Sequence, residues 1–310
     1  MIEVSIRKVP IQCTNRFSAC LDDIAATITA HYQRDYRLMY RDSWDFFSLS
    51  DDVDEDQVDQ HKWNNLYNFH GARLVLEQAP FSQSLSRIAQ QIDNGVPAVI
   101  GFDGYYCDWD PYCGKTHNRH ACIVVGLDLQ AEEVLIVDPY FTKAEKRVSF
   151  HVLQQASEYF GEWQIQEAPL LTDWASILRE AVAKIEEKDM MSSIRKLANE
   201  ITQLNMDELY DDLTDNIRRL YAYFNRLILG RMQFGLVMNA YSEHYREHSF
   251  SSWEAEFQRL ATNWEVILNV ISKALFAESF KHAKQEVEDR ILAAADDEEA
   301  MLSRLKCVSL

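Results

Sequence analysis

Three residues of this chain, Cys13, His120 and Asp138, carry side chains that together can perform acyl transfer. A cysteine thiolate attacks carbonyl carbons, an imidazole can take up and return the proton, and a carboxylate can fix the tautomer of that imidazole. This chemistry requires the three groups to meet in space. The elements around them must therefore bring distant parts of the chain together.

His120 and Asp138 lie in two short apolar segments that the sequence predicts to form a β-hairpin. The segments read HACIVVGLD and EVLIVDPY, and the polar stretch 128–133 between them has the composition of a turn. With the turn centred near Leu129, paired residue numbers add up to about 258, which places His120 directly opposite Asp138. We therefore predict that this carboxylate orients this imidazole.

Cys13 lies at the predicted start of a helix. Pro10 and its polar neighbours mark the start, and apolar residues recur after it at three- and four-residue spacing. These apolar residues are Phe17, Leu21, Ile24 and Ile28. Unpaired backbone N–H groups and the helix dipole favour a thiolate at this position and could stabilise an oxyanion. Cys20, on the same helical face, is interpreted as a small buried apolar residue.

Each of these residues also has a simpler interpretation. His120 alone could be a core histidine with satisfied hydrogen bonds, and Asp138, followed by Pro139, could begin a turn. A metal site is a second alternative, because Cys113, His117 and His120 fall within eight residues. That spacing matches no standard zinc pattern and no second Cys/His pair accompanies it, so we predict no metal.

A long aromatic loop, residues 104–119, separates the predicted strands near the site. Long loops that carry conspicuous side chains commonly contact substrate. Tyr105, Tyr106 and Tyr112 are therefore candidate substrate-binding residues. Further upstream, Trp44 could line an acyl pocket or pack between elements, and packing is the more common role for such a residue.

The order of elements predicts an α+β fold. A helix over residues 82–94, a strand over 98–103, the long loop and the hairpin follow in turn, as is typical of a mainly antiparallel sheet. After residue 168 the spacing is helical throughout, which predicts a first domain of residues 1–168 and an all-helical domain of residues 169–310. An apolar helical stripe over residues 253–267 forms core or a homodimer contact.

Composition limits the class of protein. The 310 residues, 47% of them hydrophobic, can bury a large core, and the sequence has no transmembrane run or signal-peptide pattern. We expect a soluble, cytoplasmic protein without a membrane partner. The six cysteines follow no disulfide framework, which fits reduced thiols. A net charge of −18 argues against nucleic acid as a partner, because its phosphates would be repelled.

At these motifs the chain resembles a known family. The QCTN segment at Cys13, the run from Gly95 to Tyr140 and the VLIVDPY strand are similar to the butirosin biosynthesis protein H family. The first domain of that family is a papain-like or transglutaminase-like relative of the C39 cysteine peptidases, found in natural-product gene clusters. The resemblance covers residues 8–155 by motif and the helical half by general character and the WEVILNVISK stretch.

The resemblance implies a cysteine-dependent acyltransferase of natural-product biosynthesis, such as antibiotic or nonribosomal peptide assembly. Cys13 would be the nucleophile, His120 the general base and acid, and Asp138 the residue that orients His120. An acyl, aminoacyl or peptidyl group would move from the phosphopantetheine of an acyl or peptidyl carrier protein to an amine or hydroxyl of a small molecule or peptide. No other cofactor is implied.

The sequence departs from the wider family in two places. Papain-like and C39 enzymes carry an oxyanion glutamine several residues before the cysteine, whereas Gln12 adjoins Cys13 here. Gln12 and Asn15 are the candidates for oxyanion stabilisation or substrate positioning. The acidic stretch 51–60 replaces a glycine-rich segment of the closer relatives, which implies a different substrate pocket.

Two other functions fit the same residues. A C39-like peptidase or thioesterase would use water as the acceptor, and a non-catalytic binding or assembly protein would keep the fold with an inert cysteine. A carrier protein is generally acidic, so its docking on this acidic chain would need a basic patch. The candidates, which could equally form a solvated helix surface of mixed charge, are Arg195, Lys196, Arg218, Arg219, Arg226 and Arg231.

Overall fold

The structure of the protein is a computed structural model that describes residues 2–3, 19–49, 55–141, 145–167, 173–204, 213–245 and 252–307. Its contacts divide the chain into two compact units. The sheet unit comprises residues 1–36 and 63–170, and the helical unit comprises residues 37–62 and 171–310. The division at residue 170 lies close to the expected boundary, whereas residues 37–62 were expected in the first domain and cluster instead with the helices.

One antiparallel sheet forms the centre of the sheet unit. Its strands are β1 (Ile2–Glu3), β2 (Ala72–Glu77), β3 (Ala98–Asp103), β4 (Arg119–Asp128), β5 (Glu133–Val137), β6 (Lys146–Ser149) and β7 (Ser157–Ile165). The order across the sheet is β2-β7-β3-β4-β5-β6, and β1 pairs with β4 beside this path. Every pairing between the described strands is antiparallel, which confirms the predicted α+β class.

Helices cover this sheet. Those that lie wholly or partly in the sheet unit are α1 (Cys20–His31), α2 (Glu55–His70), α3 (Phe81–Asp93) and α4 (Phe150–Ala156). The apolar side chains of α3 and α4 form one buried cluster with alternate residues of the strands. Helix α3 occurs close to the predicted range of residues 82–94, with Pro80 as its N-cap and with Ile88 and Ile92 buried. Helix α1 packs against β4.

The helical unit contains five long helices among its described residues. They are α5 (Trp174–Glu187), α6 (Met190–Gln203), α7 (Leu213–Tyr245), α8 (Trp253–Phe276) and α9 (Phe280–Cys307). These bounds agree closely with the helical segments predicted after residue 168. The apolar side chains of the predicted stripe in α8, which extends from Trp253 to Ile267, are buried, and this confirms that the stripe forms core. Helix α7 runs through Gly230 and Gly235 without the break that two glycines suggest.

A buried carboxylate organises the centre of the helical unit. Glu298 accepts hydrogen bonds from the indole N–H groups of Trp44 (2.6 Å) and Trp264 (2.7 Å) and from Nε of Arg231 (2.7 Å). The same guanidinium donates to the backbone oxygen of Asp45 at 2.7 Å. These bonds explain why residues 37–62 belong to the helices.

The predicted basic patch is not a free cationic surface. Arg231 is fully buried against Glu298, and Arg195 pairs with Asp296 (2.9 Å) and Glu299 (2.7 Å). The observed pairs favour the interpretation of a helix surface with mixed charges. None of the helices in the described part of the chain is both long and apolar enough to cross a membrane.

Candidate active site

His120 and Asp138 are in contact, although not through the predicted register. Nε2 of His120 lies 2.8 Å from Oδ2 of Asp138. Strand β4 pairs with β5 through Ile123 and Val137, and a register shift follows between residues 124 and 126. Continuing that pairing would put Tyr140, not Asp138, opposite His120. The direct pairing predicted for His120 and Asp138 is therefore wrong, because the turn is centred later; they meet as diagonal neighbours instead.

Hydrogen bonds from several directions hold the Asp138 carboxylate. It is fully buried, and Oδ1 accepts from the backbone N–H groups of Tyr140 (2.9 Å) and Phe141 (3.1 Å). Oδ2 accepts from the indole N–H of Trp109 at 3.2 Å in addition to its contact with His120. A buried carboxylate with this many donors is fixed in orientation, so it can in turn fix the imidazole.

The imidazole of His120 is buried within a ring of aromatic side chains. It is 2% exposed, and the rings of Phe102 and Phe141 lie 5.3 and 4.6 Å from its centroid. Tyr140 lies farther away, at 5.8 Å. These neighbours limit rotation of the ring and exclude water from it.

Cys20 occupies the position that the sequence predicted for Cys13. Ala19 is extended and accepts hydrogen bonds from the N–H groups of Asp22 (2.9 Å) and Asp23 (3.3 Å), so α1 begins at Cys20. Cys20 is only partly buried. The interpretation of Cys20 as a core residue is therefore wrong, since the helix starts seven residues later than Cys13.

The thiol of Cys20 lies close enough to His120 to affect the charge of its imidazole. Asp138 engages Nε2 of the ring, which leaves Nδ1 as the nitrogen that could meet a thiol. Burial alone lowers the pKa of His120, but the hydrogen bonds and charges of Asp138 and Cys20 outweigh it and raise the pKa to about 9. The imidazolium form therefore predominates at neutral pH.

The other buried cysteines of the described chain have no such partner. Burial is the main cause that raises the pKa of both Cys107 and Cys122, which keeps these thiols protonated. Cys113 is partly exposed and Cys307 is exposed. Among the described cysteines, Cys20 is the one joined to a histidine and a carboxylate.

The aromatic loop is anchored by two carboxylates. Asp103 contacts Nδ1 of His117 at 2.5 Å and accepts from the backbone N–H of Tyr105 at 3.0 Å. Asp110 is buried and accepts from the side-chain amide of Asn118 at 3.1 Å. The ring of Tyr105 stacks on His117 at 4.5 Å. These contacts give the loop one defined shape.

The tyrosines predicted to bind substrate differ in how far they are exposed. Tyr106 and Tyr112 are exposed on the loop at 42% and 49%, and Tyr105 is partly buried beside them. Tyr112 also acts electrostatically on Tyr140, whose pKa is raised first by burial and then by Cys20. The loop thus places Tyr112 near the site.

Trp44 has a different role. It is 2% exposed in the core of the helical unit, where it contacts Phe234, Phe257 and Glu298. Its proposed contact with substrate is wrong, because the side chain is buried, its indole N–H donates to Glu298 and its ring contacts two phenylalanines. The alternative of packing is confirmed.

Three predicted site residues, Gln12, Cys13 and Asn15, lie outside the described residues. The proposed metal ligands do not converge, since the described residues contain no group of three His, Cys, Asp or Glu side chains that could hold an ion. His117 turns to Asp103, whereas His120 turns to Asp138.

Sequence reasoning missed the place of Cys20 at the start of α1 and the contact of Trp109 with Asp138. A signal for the first existed. Asp22 and Asp23 lie two and three residues after Cys20, and acidic residues in the first turn mark a helix start. No local pattern could have found Trp109, because its partner lies 29 residues away.

Comparison with known proteins agrees with this geometry. Residues 16–167 match the model of the Peptidase_C39 like family. The matched span contains Cys20, His120 and Asp138 but not Cys13. No curated protein matches the chain. The match supports a papain-like, C39-related family, and the sheet unit is similar to a cysteine-enzyme domain of that kind.

Proposed function

We propose that the protein is a cysteine-dependent enzyme of acyl transfer, in which Cys20 forms a thioester with the acyl group. The observation that carries this proposal is the buried pair of His120 and Asp138, joined at 2.8 Å, together with the place of Cys20 at the first residue of a helix. Cys20 also affects the charge of the His120 imidazole. This proposal replaces Cys13 by Cys20 as the nucleophile and keeps the roles expected for His120 and Asp138.

The first step is acylation of Cys20. The thiolate attacks the carbonyl carbon of a thioester donor, and the tetrahedral intermediate collapses with loss of the donor thiol. The imidazolium of His120 gives its proton to that leaving sulfur and becomes neutral. The bond to Cys20 forms first, and the S–C bond of the donor breaks when the intermediate collapses. One thioester replaces another, so the exchange is nearly balanced in energy.

The second step releases the acyl group to an acceptor. Neutral His120 removes a proton from the attacking amine or hydroxyl, and the acceptor bonds to the acyl carbon. Cys20 leaves as thiolate beside the newly formed imidazolium, which restores the starting pair. Asp138 stays ionised throughout and keeps the ring in one orientation.

Two groups are candidates to stabilise the oxyanion of each intermediate. The backbone N–H of Cys20 lies in the first turn of α1, where such groups lack an intrahelical acceptor and Ala19 provides no side-chain cap. Gln12 precedes Cys20 by eight residues. With Cys20 as nucleophile, Gln12 fits the glutamine that papain-like and C39 enzymes carry several residues before the cysteine.

We further propose a carrier-protein thioester as the acyl donor and a small molecule or peptide as the acceptor, as the resemblance to the butirosin biosynthesis protein H family implies. The net charge of −18 opposes an acidic carrier. Arg195 and Arg231 are paired with carboxylates and so do little to relieve this repulsion. A carrier would therefore have to dock on other basic residues of the chain.

Hydrolysis is the second candidate function, because the matching family is named for a peptidase. A peptidase or thioesterase would form the same acyl-enzyme and release it to water. The two functions differ in the acceptor alone, so they share every residue proposed above. A non-catalytic protein would form no acyl-enzyme.

The test is a partition experiment on the acyl-enzyme. Purified protein is acylated with an acyl-N-acetylcysteamine thioester, and decay of the adduct is followed by intact-protein mass spectrometry with and without an added amine. Transfer predicts that the amine speeds decay and yields amide, whereas hydrolysis predicts decay to free acid at the same rate. Absence of any adduct would contradict both functions.

His120→Ala provides the control for the mechanism. We expect it to slow acylation and decay, since the same side chain protonates the leaving thiol and activates the acceptor. The matched control is His282→Ala, which replaces an exposed histidine of α9. This variant should leave both rates unchanged.

A further inference from the structure

Trp109 of the aromatic loop contacts the carboxylate that orients His120. Its indole N–H donates to Oδ2 of Asp138 at 3.2 Å, and Nε2 of His120 lies 2.8 Å from the same oxygen. The other carboxylate oxygen, Oδ1, accepts from two backbone N–H groups. Trp109 and His120 therefore share one acceptor atom, so a change in one of these hydrogen bonds alters the strength of the other.

Strand β6 supplies a cation that holds Trp109 in place. Lys146, the first residue of β6, pairs with Ile136 of β5, which lies two residues before Asp138. Its ammonium lies over the Trp109 ring, 5.4 Å from the centroid, and 3.0 Å from Oδ1 of Asp108. A cation over an indole is attracted to the ring and draws electron density toward itself, which makes the indole N–H a better donor.

An aromatic side chain joins Trp109 to the imidazole. The ring of Phe102 lies 5.4 Å from that of Trp109 and 5.3 Å from that of His120, edge-to-face in both contacts. Phe102 is fully buried, and Trp109 is partly buried against the same apolar cluster. A cation, an aromatic ring and a carboxylate thus fix the indole, so its N–H has one defined direction.

The charge of His120 depends on the ionisable side chains around it. Burial lowers its pKa, whereas Asp138 and Cys20 together raise it to about 9. The phenol of Tyr140 lies beside the imidazole, with the ring centroids 5.8 Å apart. Because Asp138 makes the direct contact at 2.8 Å, a residue that changes its strength as an acceptor changes the proton affinity of His120.

We propose that Trp109 is a positioning residue that limits how tightly Asp138 holds the proton of His120, and that Lys146 acts on the site through Trp109. The indole N–H neutralises part of the negative charge on Oδ2, so less of that charge stabilises the imidazolium. His120 then releases its proton more readily to the leaving thiol, which speeds acylation. The inference rests on the proposed function and adds to it a control on the proton that His120 transfers.

The test is a titration of His120 by NMR in protein that carries isotope-labelled histidine. The His120 resonance is the one that His120→Gln lacks. Trp109→Phe removes the indole N–H and keeps an aromatic ring, so we expect the midpoint of the His120 titration to rise by about half a pH unit or more. An unchanged or lower midpoint in this variant would overturn the inference.

Trp163→Phe is the matched control in the same unit. The indole N–H of Trp163 is buried and makes no hydrogen bond to any residue that the structure describes. This variant therefore loses the same ring area without losing a bond to a carboxylate, and it should leave the midpoint unchanged. An equal shift in both variants would indicate general loosening of the sheet unit and would overturn the inference.

Lys146→Met tests the link from β6. It removes the cation and keeps the apolar stem, so the midpoint should rise by a smaller amount in the wild type and should not change in the Trp109→Phe background. An equal rise in both backgrounds, or no rise in either, would overturn the link through Trp109. If Trp109→Phe does not fold, Lys146→Met alone decides, and an unchanged midpoint overturns the inference.

Failure of this inference can be told apart from failure of the proposed function. The NMR midpoint requires no acyl group, so it tests Trp109 whether or not Cys20 is acylated. A wild type that acquires no acyl group from an acyl-N-acetylcysteamine thioester would contradict the proposed function. If the wild type is acylated and the midpoint of Trp109→Phe does not rise, only this inference fails.

Discussion

At the scale of single residues, the candidate site depends on how a carboxylate and a thiol raise the pKa of one imidazole. His120 is buried, which disfavours its charge, yet Asp138 and Cys20 raise its pKa to about 9. The resting site is therefore an imidazolium beside the cysteine. This distinguishes the pair from a satisfied core histidine, which would have no reactive partner.

In a plot of acylation rate against pH, the alkaline limb, where the rate falls, should lie near pH 9. Above this pH His120 loses its proton and cannot protonate the leaving thiol. Asp138→Asn removes the main group that raises the pKa, so we expect the limb to move to lower pH and the rate at its optimum to fall about 100-fold or more. Stopped-flow acylation between pH 6 and 10 measures both effects; an unchanged limb in the variant would contradict the assigned role.

The same pKa predicts how stability depends on pH. His120 is raised from its unfolded value of about 6.5 to about 9, so its contribution is complete below the lower value and is lost as pH rises through the higher one. The free energy of unfolding of the wild type, relative to His120→Gln, should fall by up to about 3 kcal/mol over this range. Urea denaturation at several pH values tests this, and a difference that grows with pH would contradict it.

The sequence predicted the contact of His120 with Asp138, whereas the start of the helix that it placed at Cys13 lies at Cys20, and this difference has a physical cause. His120 and Asp138 carry a strong local signal, since each ends or begins an apolar strand. Cys13 precedes the apolar repeat that begins at Phe17, whereas Cys20 lies within it, and periodicity alone does not show where a helix starts. The extended backbone of Ala19 determines that the helix starts at Cys20, and this conformation is visible only in the tertiary structure.

At the scale of elements, long helices and strands next to turns could be predicted, whereas elements defined by distant pairing could not. Strand β3 and the helices after residue 172 occur close to their predicted bounds. Strand β7 lies between β2 and β3 but follows α4 directly, without a turn signal between them. The hairpin register differs from the prediction because the turn is centred later than Leu129, which alternation of side chains does not reveal.

The glycines of α7 provide a test at this scale. A Cβ atom on Gly230 would overlap the backbone oxygen of Ser43, whereas one on Gly235 would lie 3.3 Å from Cβ of Phe257. Gly230→Ala should therefore destabilise the protein by about 1–3 kcal/mol despite better helix propensity, and Gly235→Ala should have a smaller effect. Thermal denaturation compares them, and a stabilised Gly230→Ala variant would refute the close approach.

At the scale of the whole molecule, the charge of −18 governs encounter with a partner. Two acidic proteins repel each other, and added salt screens that repulsion. If an acidic carrier protein delivers the acyl group, acylation should become faster between 20 and 200 mM salt. Acylation by the neutral acyl-N-acetylcysteamine donor should show little change, which makes it the control. A carrier reaction that slows with salt would instead indicate a basic docking surface.

The measurement that tests the central claim most directly is peptide-mapped mass spectrometry after brief treatment with an acyl-N-acetylcysteamine thioester. Wild type, Cys13→Ala and Cys20→Ala are compared under identical conditions. We predict one acyl group on Cys20 in the wild type and in Cys13→Ala, and none in Cys20→Ala. An adduct that persists in Cys20→Ala and disappears in Cys13→Ala would contradict the account, since the nucleophile would then lie outside the Cys20–His120–Asp138 chain.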